Sequence, residues 1–245
     1  MSTPSPWEEP ARQVVELLRS GDPAGAFALI EQTAQAQGAS GPAAGFREVA
    51  GAVYWKGKAV REFVTLSQEI IRRLDLALAG APDVDSRAAL VKPLGGTLYN
   101  LAAFTWDGWA EPEIFVGPEE LAAGRAAARR CLEVRVAPEN AVAGFGYTPA
   151  MAHWVVGAHE LSARNFGEAI EQFRRGAAED RSAGDDDILA RGYLALTRLV
   201  ETPGRFDSQA AFASVIQELG SREGDRDAAF YRDQLLTARR VYLGE

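Results

Sequence analysis

The chain has 245 residues, 47% of them hydrophobic and 24% charged, with a formal net charge of −8 and an isoelectric point near 5. This balance excludes general disorder, and the acidic surface it implies disfavours nucleic-acid binding because it repels phosphate backbones. A single cysteine, Cys131, excludes an intrachain disulfide and a cysteine-based zinc site, and no apolar run reaches the roughly 18–20 residues of a membrane span.

Ala, Leu, Glu and Arg outnumber the β-branched residues, which favours helix because β-branched side chains lose rotamer freedom there. The high Ala, Gly and Arg content, with lysine only at 56, 58 and 92, fits a GC-rich bacterial genome. The opening MSTPSPWEEP has neither the basic nor the apolar region of a signal peptide, so the expected location is cytoplasmic. Residues 1–6 are expected to be disordered and 7–245 to form one domain.

In chain order, Val14, Val15, Leu17 and Leu18 give a helix over 8–20 its apolar side. SGDP at 20–23 stops it and starts another, with Pro23 in the first turn. QAQGASGP ends that one, and Phe46, Val49, Ala50, Val53 and Tyr54 form the next apolar stripe. A WKGK turn leads into a helix over 58–80, where Phe63, Leu66, Ile70, Leu74 and Leu78 recur at helical spacing. GAPDVDS is a loop. Helices then follow at about 87–106, 118–136, 149–164, 166–183, 186–201, 206–220 and 224–243. Eleven helices joined mainly by short turns, with no convincing strand pattern, make an all-α chain of antiparallel neighbours.

Residues 153–177 read HWVVGAHELSARNFGEAIEQFRRGA. Gly157 on a first helix is followed, across a turn, by Ala169, Phe173 and Gly176 on a second. This resembles the tetratricopeptide repeat (TPR), in which small residues let two helices approach and an aromatic fills the adjoining groove. LYNLAAF at 98–104 resembles the first-helix signature, with Ala102 at the small position, and Gly124, Ala128 and Cys131 supply the second helix. A weaker copy uses Gly21, Ala26, Ile30 and Thr33; the pairs at 43–80 and 186–220 fit poorly. The resemblance implies a right-handed antiparallel helix-pair solenoid of about five pairs, with 224–243 as a C-terminal capping helix.

Gly157 and Ala169 are twelve residues apart, whereas Ala102 and Gly124 are twenty-two apart, so FTWDGWAEPEIFVG at 104–117 is an insertion in a repeat turn. Its aromatics, Phe104, Trp106, Trp109 and Phe115, have two readings. They form a local core that staples a long turn to the helices, or they border a ligand groove. In the first, Trp106 packs near Leu121, Trp109 and Phe115 close over it, and Asp107, Glu111 and Glu113 face water. The resemblance also places Trp154 and Tyr99, each three residues before a small position, on a concave wall, with Met151 and Ala103 beside them.

No catalytic set stands out. His153 and His159, six apart, lie about 120° from each other on a helix and cannot share a metal. His153 and Glu160 share a face but fall short of the three protein ligands zinc takes. GDDDI at 184–188 and DVDS at 83–86 read as helix caps. PLGGT at 93–97 follows no strand and is not a phosphate loop. Cys131 is expected to be buried and inert, and Arg72, Arg73, Arg125, Arg129 and Arg130 to pair with acids on solvated faces.

The expected function is a non-catalytic scaffold that binds a protein or peptide, with no metal, no cofactor, no nucleic-acid partner and no membrane partner. One alternative is a sensor of a small ligand or signal peptide held in an enclosed superhelical pocket. A second is a helical enzyme using the His153/Glu160 face. Homo-oligomerisation through an exposed end helix stays open.

Overall fold

A computed structural model describes residues 6–39, 43–140 and 144–245, without the side chain of Ala44. The expected disordered segment 1–6 falls outside them except for Pro6, which lies in the turn before the first helix. The described residues form eleven α-helices: α1 (Glu8–Arg19), α2 (Pro23–Ala36), α3 (Ala44–Trp55), α4 (Val60–Ala79), α5 (Val84–Phe104), α6 (Pro118–Val136), α7 (Pro149–Ser162), α8 (Phe166–Ala183), α9 (Ile188–Glu201), α10 (Phe206–Gly220) and α11 (Arg226–Leu243). Two short 3-10 turns, Asp107–Trp109 and Pro138–Asn140, were not expected from the sequence pattern. No strand occurs among the described residues, and none of their helices is long and apolar enough to cross a membrane.

Helix ends follow local chemistry. Pro23, Pro118 and Pro149 occupy first-turn positions, where a missing N–H costs nothing. Asp22, Asp83 and Thr148 accept hydrogen bonds from Gly25 N (2.8 Å), Ser86 N (2.7 Å) and Met151 N (3.1 Å). The Asp83 cap starts α5 at Val84, three residues earlier than periodicity alone indicates.

Every helix packs on the next, and several pack on the next but one: α1 on α3, α4 on α6, α5 on α7, α7 on α9 and α9 on α11. One apolar cluster runs through the described chain from Ala11 to Tyr242. Small residues set the close approaches. A Cβ on Gly157 would lie 2.7 Å from the Phe173 ring, and Ala169 is fully buried beside it. A Cβ on Gly124 would overlap the Thr105 hydroxyl and come within 2.7 Å of the His159 ring. Neither site has room for a side chain without moving packed atoms.

The segment after α5 departs from sequential packing, since its 3-10 turn contacts both α7 and α11. Trp106 is 1% exposed. Its ring meets Trp109 (5.4 Å between centroids), Trp154 (5.6 Å), Tyr193 (5.7 Å) and Tyr242 (6.4 Å). Gly108 is required above it, because a Cβ there would overlap the indole. Three details of the expected arrangement are corrected. Leu121 does not lie in this aromatic group; it lines a surface depression with Pro118, Arg125 and Ala163. Phe115 does not close over Trp106 but is 86% exposed. Asp107 does not face water: its carboxylate accepts hydrogen bonds from Ser162 Oγ and Tyr242 Oη, each at 2.7 Å. The last of these has its reason in the last helix, whose Tyr242 reaches Asp107 from a side that local spacing cannot reveal.

Candidate functional site

Five helices and the inserted turn line a cavity of about 580 Å3. Tyr99 of α5, Trp109 of the 3-10 turn, and Met151 and Trp154 of α7 form one side. Phe230, Tyr231 and Gln234 of α11 form the opposite side. The first residues of α9, Ile188–Ala190, also line it. The volume falls in the range that holds a small molecule or a few side chains of a peptide.

Of the four residues expected on the concave wall, Tyr99, Met151 and Trp154 line this cavity and Ala103 does not. Ala103 is buried, and its carbonyl accepts a 2.6 Å hydrogen bond from Trp109 Nε1, which fixes that indole at the rim. The aromatics of the insertion part company. Trp109 lines the cavity, and its ring lies 5.9 Å from that of Trp154 and 6.2 Å from that of Phe230. Trp106 lies in the core behind both tryptophans. Phe104 points elsewhere, stacked on Tyr54 at 4.5 Å and edge-on to Trp55.

The electrostatics of the rim are one-sided. Asp180 at the end of α8, Asp185 and Asp186 in the loop after it, and Asp225 and Asp227 at the start of α11 line the cavity with a single cation, Arg222. Arg222 is engaged by Asp186 and by Glu218, the latter at 3.1 Å. No cation is paired with the carboxylates of Asp180, Asp185 or Asp227 among the described residues. Burial, and repulsion from Asp185, Asp187 and Asp186, push the Asp180 carboxyl up to about 6. Burial also raises the Tyr99 hydroxyl, with Cys131 and Tyr231 adding to it, so Tyr99 stays a neutral donor.

One buried polar atom on a lining residue lacks a partner, Gln234 Oε1, on a side chain only 7% exposed, whereas the Trp154 indole is directed at the buried Tyr193 hydroxyl. Buried polar atoms in folded proteins nearly always find a partner, so the Gln234 amide marks a place where the fold leaves hydrogen-bonding capacity unused.

The capping reading of GDDDI holds for Asp186, whose side chain accepts from Ile188 N at 3.0 Å. Periodicity gave no sign that these acids also border a cavity, because the opposing wall comes from α11, forty residues on. The aromatic pair Phe230–Tyr231, with Gln234 one turn later, was the missed signal within that helix.

The polar side chains singled out in the sequence as candidate chemistry are engaged by the fold. His153 Nδ1 lies 2.7 Å from Gln172 Oε1 of α8, whereas Glu160, fully buried, receives Arg125 (2.5 Å) and Arg129 (2.8 Å) from α6 and Asn165 Nδ2 (3.0 Å). The two therefore turn to different helices and meet at no common point. Burial raises the Glu160 carboxyl, but those hydrogen bonds outweigh it and hold it at about 2. Arg130 pairs with Asp75 and Arg72 with Glu69 from exposed positions, whereas Arg73 departs from the solvated-face expectation: it lies over the Phe46 ring and pairs with Glu31 and the buried Glu69. Burial pushes the Cys131 thiol up to about 12, so it is no nucleophile. No group of three or more potential metal ligands converges among the described residues. No protein-family model matches the chain, and no curated protein matches it.

Proposed function

We propose that this chain is a non-catalytic binding module of the TPR-like helical-repeat type, a solenoid that holds a peptide segment in the cavity between α5, α7, α9 and α11. The observation that carries the reading is the convergence of Tyr99, Met151 and Trp154, singled out from repeat register, on one cavity with Trp109. Rigid aromatic rings around a partly open space supply anchoring surface at low entropic cost. Sequential packing of helix pairs and close approach at Gly157 and Gly124 support the solenoid part of the reading.

Selection of random peptides on the immobilised full chain tests it, with counter-selection on Trp109→Ala. Enriched peptides should bind the wild type and lose most of their affinity for Trp109→Ala and for Met151→Glu. Peptides that bind the variants as well as the wild type, or no enrichment at all, would overturn the assignment.

One observation favours a second reading, the small-ligand sensor. The last helix packs on the inserted turn and so walls off one side of the cavity. If that wall is permanent, only a compact ligand enters, and a free small molecule displaces every selected peptide.

A further inference from the structure

We infer that the cavity recognises an organic cation, an ammonium or guanidinium group carried on an apolar stem. This rests on the binding-module reading and adds the chemistry of what is bound. Four observations carry it.

First, five aspartates line the space against one arginine, and that arginine is already paired with Asp186 and Glu218. An anionic ligand would face several carboxylates with no free cation to receive it; a cationic one would gain from each of them. Second, the aromatic surface is placed for a cation. Trp109 lies within ring-contact distance of both Trp154 and Phe230, and Tyr99 and Tyr231 complete the lining. Ring faces attract a cation through their quadrupole, tryptophan most strongly, and accept the methylene stem at the same time.

Third, Gln234 is 7% exposed, lines the same space, and its Oε1 is a buried acceptor without a donor. The amide carries both an acceptor and donors, so it offers a ligand a polar contact that the fold leaves unsatisfied, while the choice of a cation rests on the carboxylates and the rings. Fourth, the carboxyl of Asp180 is held up by burial and by its neighbours Asp185, Asp187 and Asp186. A cation entering the cavity relieves that repulsion, so part of its binding free energy comes from removing a cost the empty protein carries.

The same group reaches the cavity from two sources, an arginine or lysine side chain of a peptide or a free amine, and the test separates them. Tryptophan fluorescence and isothermal titration are followed on the full chain with N-acetyl-arginine methylamide, its neutral isostere N-acetyl-citrulline methylamide, N-acetyl-glutamate methylamide, and agmatine as the free amine. Each amino acid is also presented at the centre of a capped Gly/Ser pentapeptide.

The arginine probe should bind about tenfold or more tightly than citrulline, weaken as salt rises, and fail on Trp109→Ala. Asp185→Asn with Asp227→Asn removes two exposed, unpaired carboxylates and should weaken arginine without altering citrulline. Tighter binding of the arginine pentapeptide than of agmatine assigns the cation to a peptide; the reverse assigns it to a free amine. Equal binding of arginine and citrulline, or preference for glutamate, with Trp109→Ala still abolishing it, overturns the cation assignment and leaves the binding module standing. Failure of every probe, and of peptides selected without regard to charge, to perturb Trp109 overturns both.

Discussion

The hydroxyl of Tyr242, in the last turn of α11, donates a 2.7 Å hydrogen bond to the carboxylate of Asp107, 135 residues earlier in the chain. The same carboxylate accepts from Ser162 Oγ of α7, also at 2.7 Å. Three distant parts of the chain thus meet at one half-buried acid, and the inserted turn becomes the point at which the end of the molecule is tied to its middle. The aromatic content of residues 104–117 follows from this. The turn is a packing hub between α5, α7 and α11, and its second tryptophan forms the rim of the cavity.

Removing that acid should loosen α11. Asp107→Ala leaves the Tyr242 and Ser162 hydroxyls without their charged acceptor, a loss of about 1.5–3 kcal/mol for hydrogen bonds to a charged group. Chemical denaturation measures the cost, and hydrogen exchange should show increased opening across α11. Unchanged stability and unchanged exchange in α11 would mean that the helix docks through apolar contacts alone.

Trp106→Ala should cost about 3–5 kcal/mol, as expected for truncating a fully buried aromatic, because its indole contacts four other aromatic rings. Limited proteolysis of the native protein should spare residues 106–109, which are held by the indole packing and by the Trp109–Ala103 hydrogen bond. Rapid cleavage there, with Trp106→Ala as stable as wild type, would show that the turn is not packed as described.

The helices were legible because each rests on local signals. Asp22 and Asp83 cap, Pro118 and Pro149 start, and a 3.6-residue apolar stripe runs between. Tyr99, Met151 and Trp154, singled out together in the sequence, line one cavity. What escaped was everything contributed by α11. Tyr242 meets Ser162 and Asp107, and Phe230 meets Trp109, across 80 or more residues of chain, while Tyr231 and Gln234 line the cavity with Tyr99 and Trp154, and no periodicity encodes such distances. The acids at 185–187 illustrate the same limit, since capping accounts for Asp186 locally while the cavity it borders is a tertiary fact.

Gly157 tests the packing of α7 on α8. Alanine is the better helix former by about 1 kcal/mol, so an unconstrained site would be stabilised by Gly157→Ala. Here the new Cβ would sit 2.7 Å from the Phe173 ring, which is buried and stacked on Tyr193 at 5.3 Å and cannot swing aside. Net destabilisation of about 1–3 kcal/mol is expected, visible as a lower denaturation midpoint. A stabilised variant would mean that α7 and α8 separate more easily than this contact implies.

Acid should destabilise the protein in two steps. Burial holds His159 down at about 4, neutral, with Nε2–H donating to the Ala102 carbonyl at 2.8 Å. Below its ordinary 6.5 the unfolded chain takes up a proton that the native state refuses, so stability falls as pH drops from 6.5 toward 4. Glu160, held at about 2 by Arg125 and Arg129, adds a second loss as pH falls from its ordinary 4.5 toward 2. Asp180 titrates in the opposite sense over the upper part of this range, so both losses should be read from melting temperature against pH in the Asp180→Asn background, where Glu160→Gln should remove the lower one while lowering stability at neutral pH. In that background a melting temperature flat from 6.5 to 4 would place His159 in contact with water.

Asp180 runs the other way. Its carboxyl titrates near 6 in the folded chain against an ordinary 3.8, so the native state binds a proton that the unfolded chain has lost. The stability this contributes is present below 3.8 and disappears as pH rises through 6. Above 6 the ionised carboxylate faces Asp185, Asp187 and Asp186 with only Arg181 to offset them, and it is half-buried. Asp180→Asn removes the repulsion and keeps the shape. It should raise the melting temperature above pH 6 and leave it unchanged in strong acid, where the wild-type group is already neutral. The variant should also bind the arginine probe less tightly than wild type, because the relief of that repulsion is gone. A lower melting temperature above pH 6 would mean that Asp180 is compensated by a cation, and the rim of the cavity would then be less acidic than its five aspartates make it.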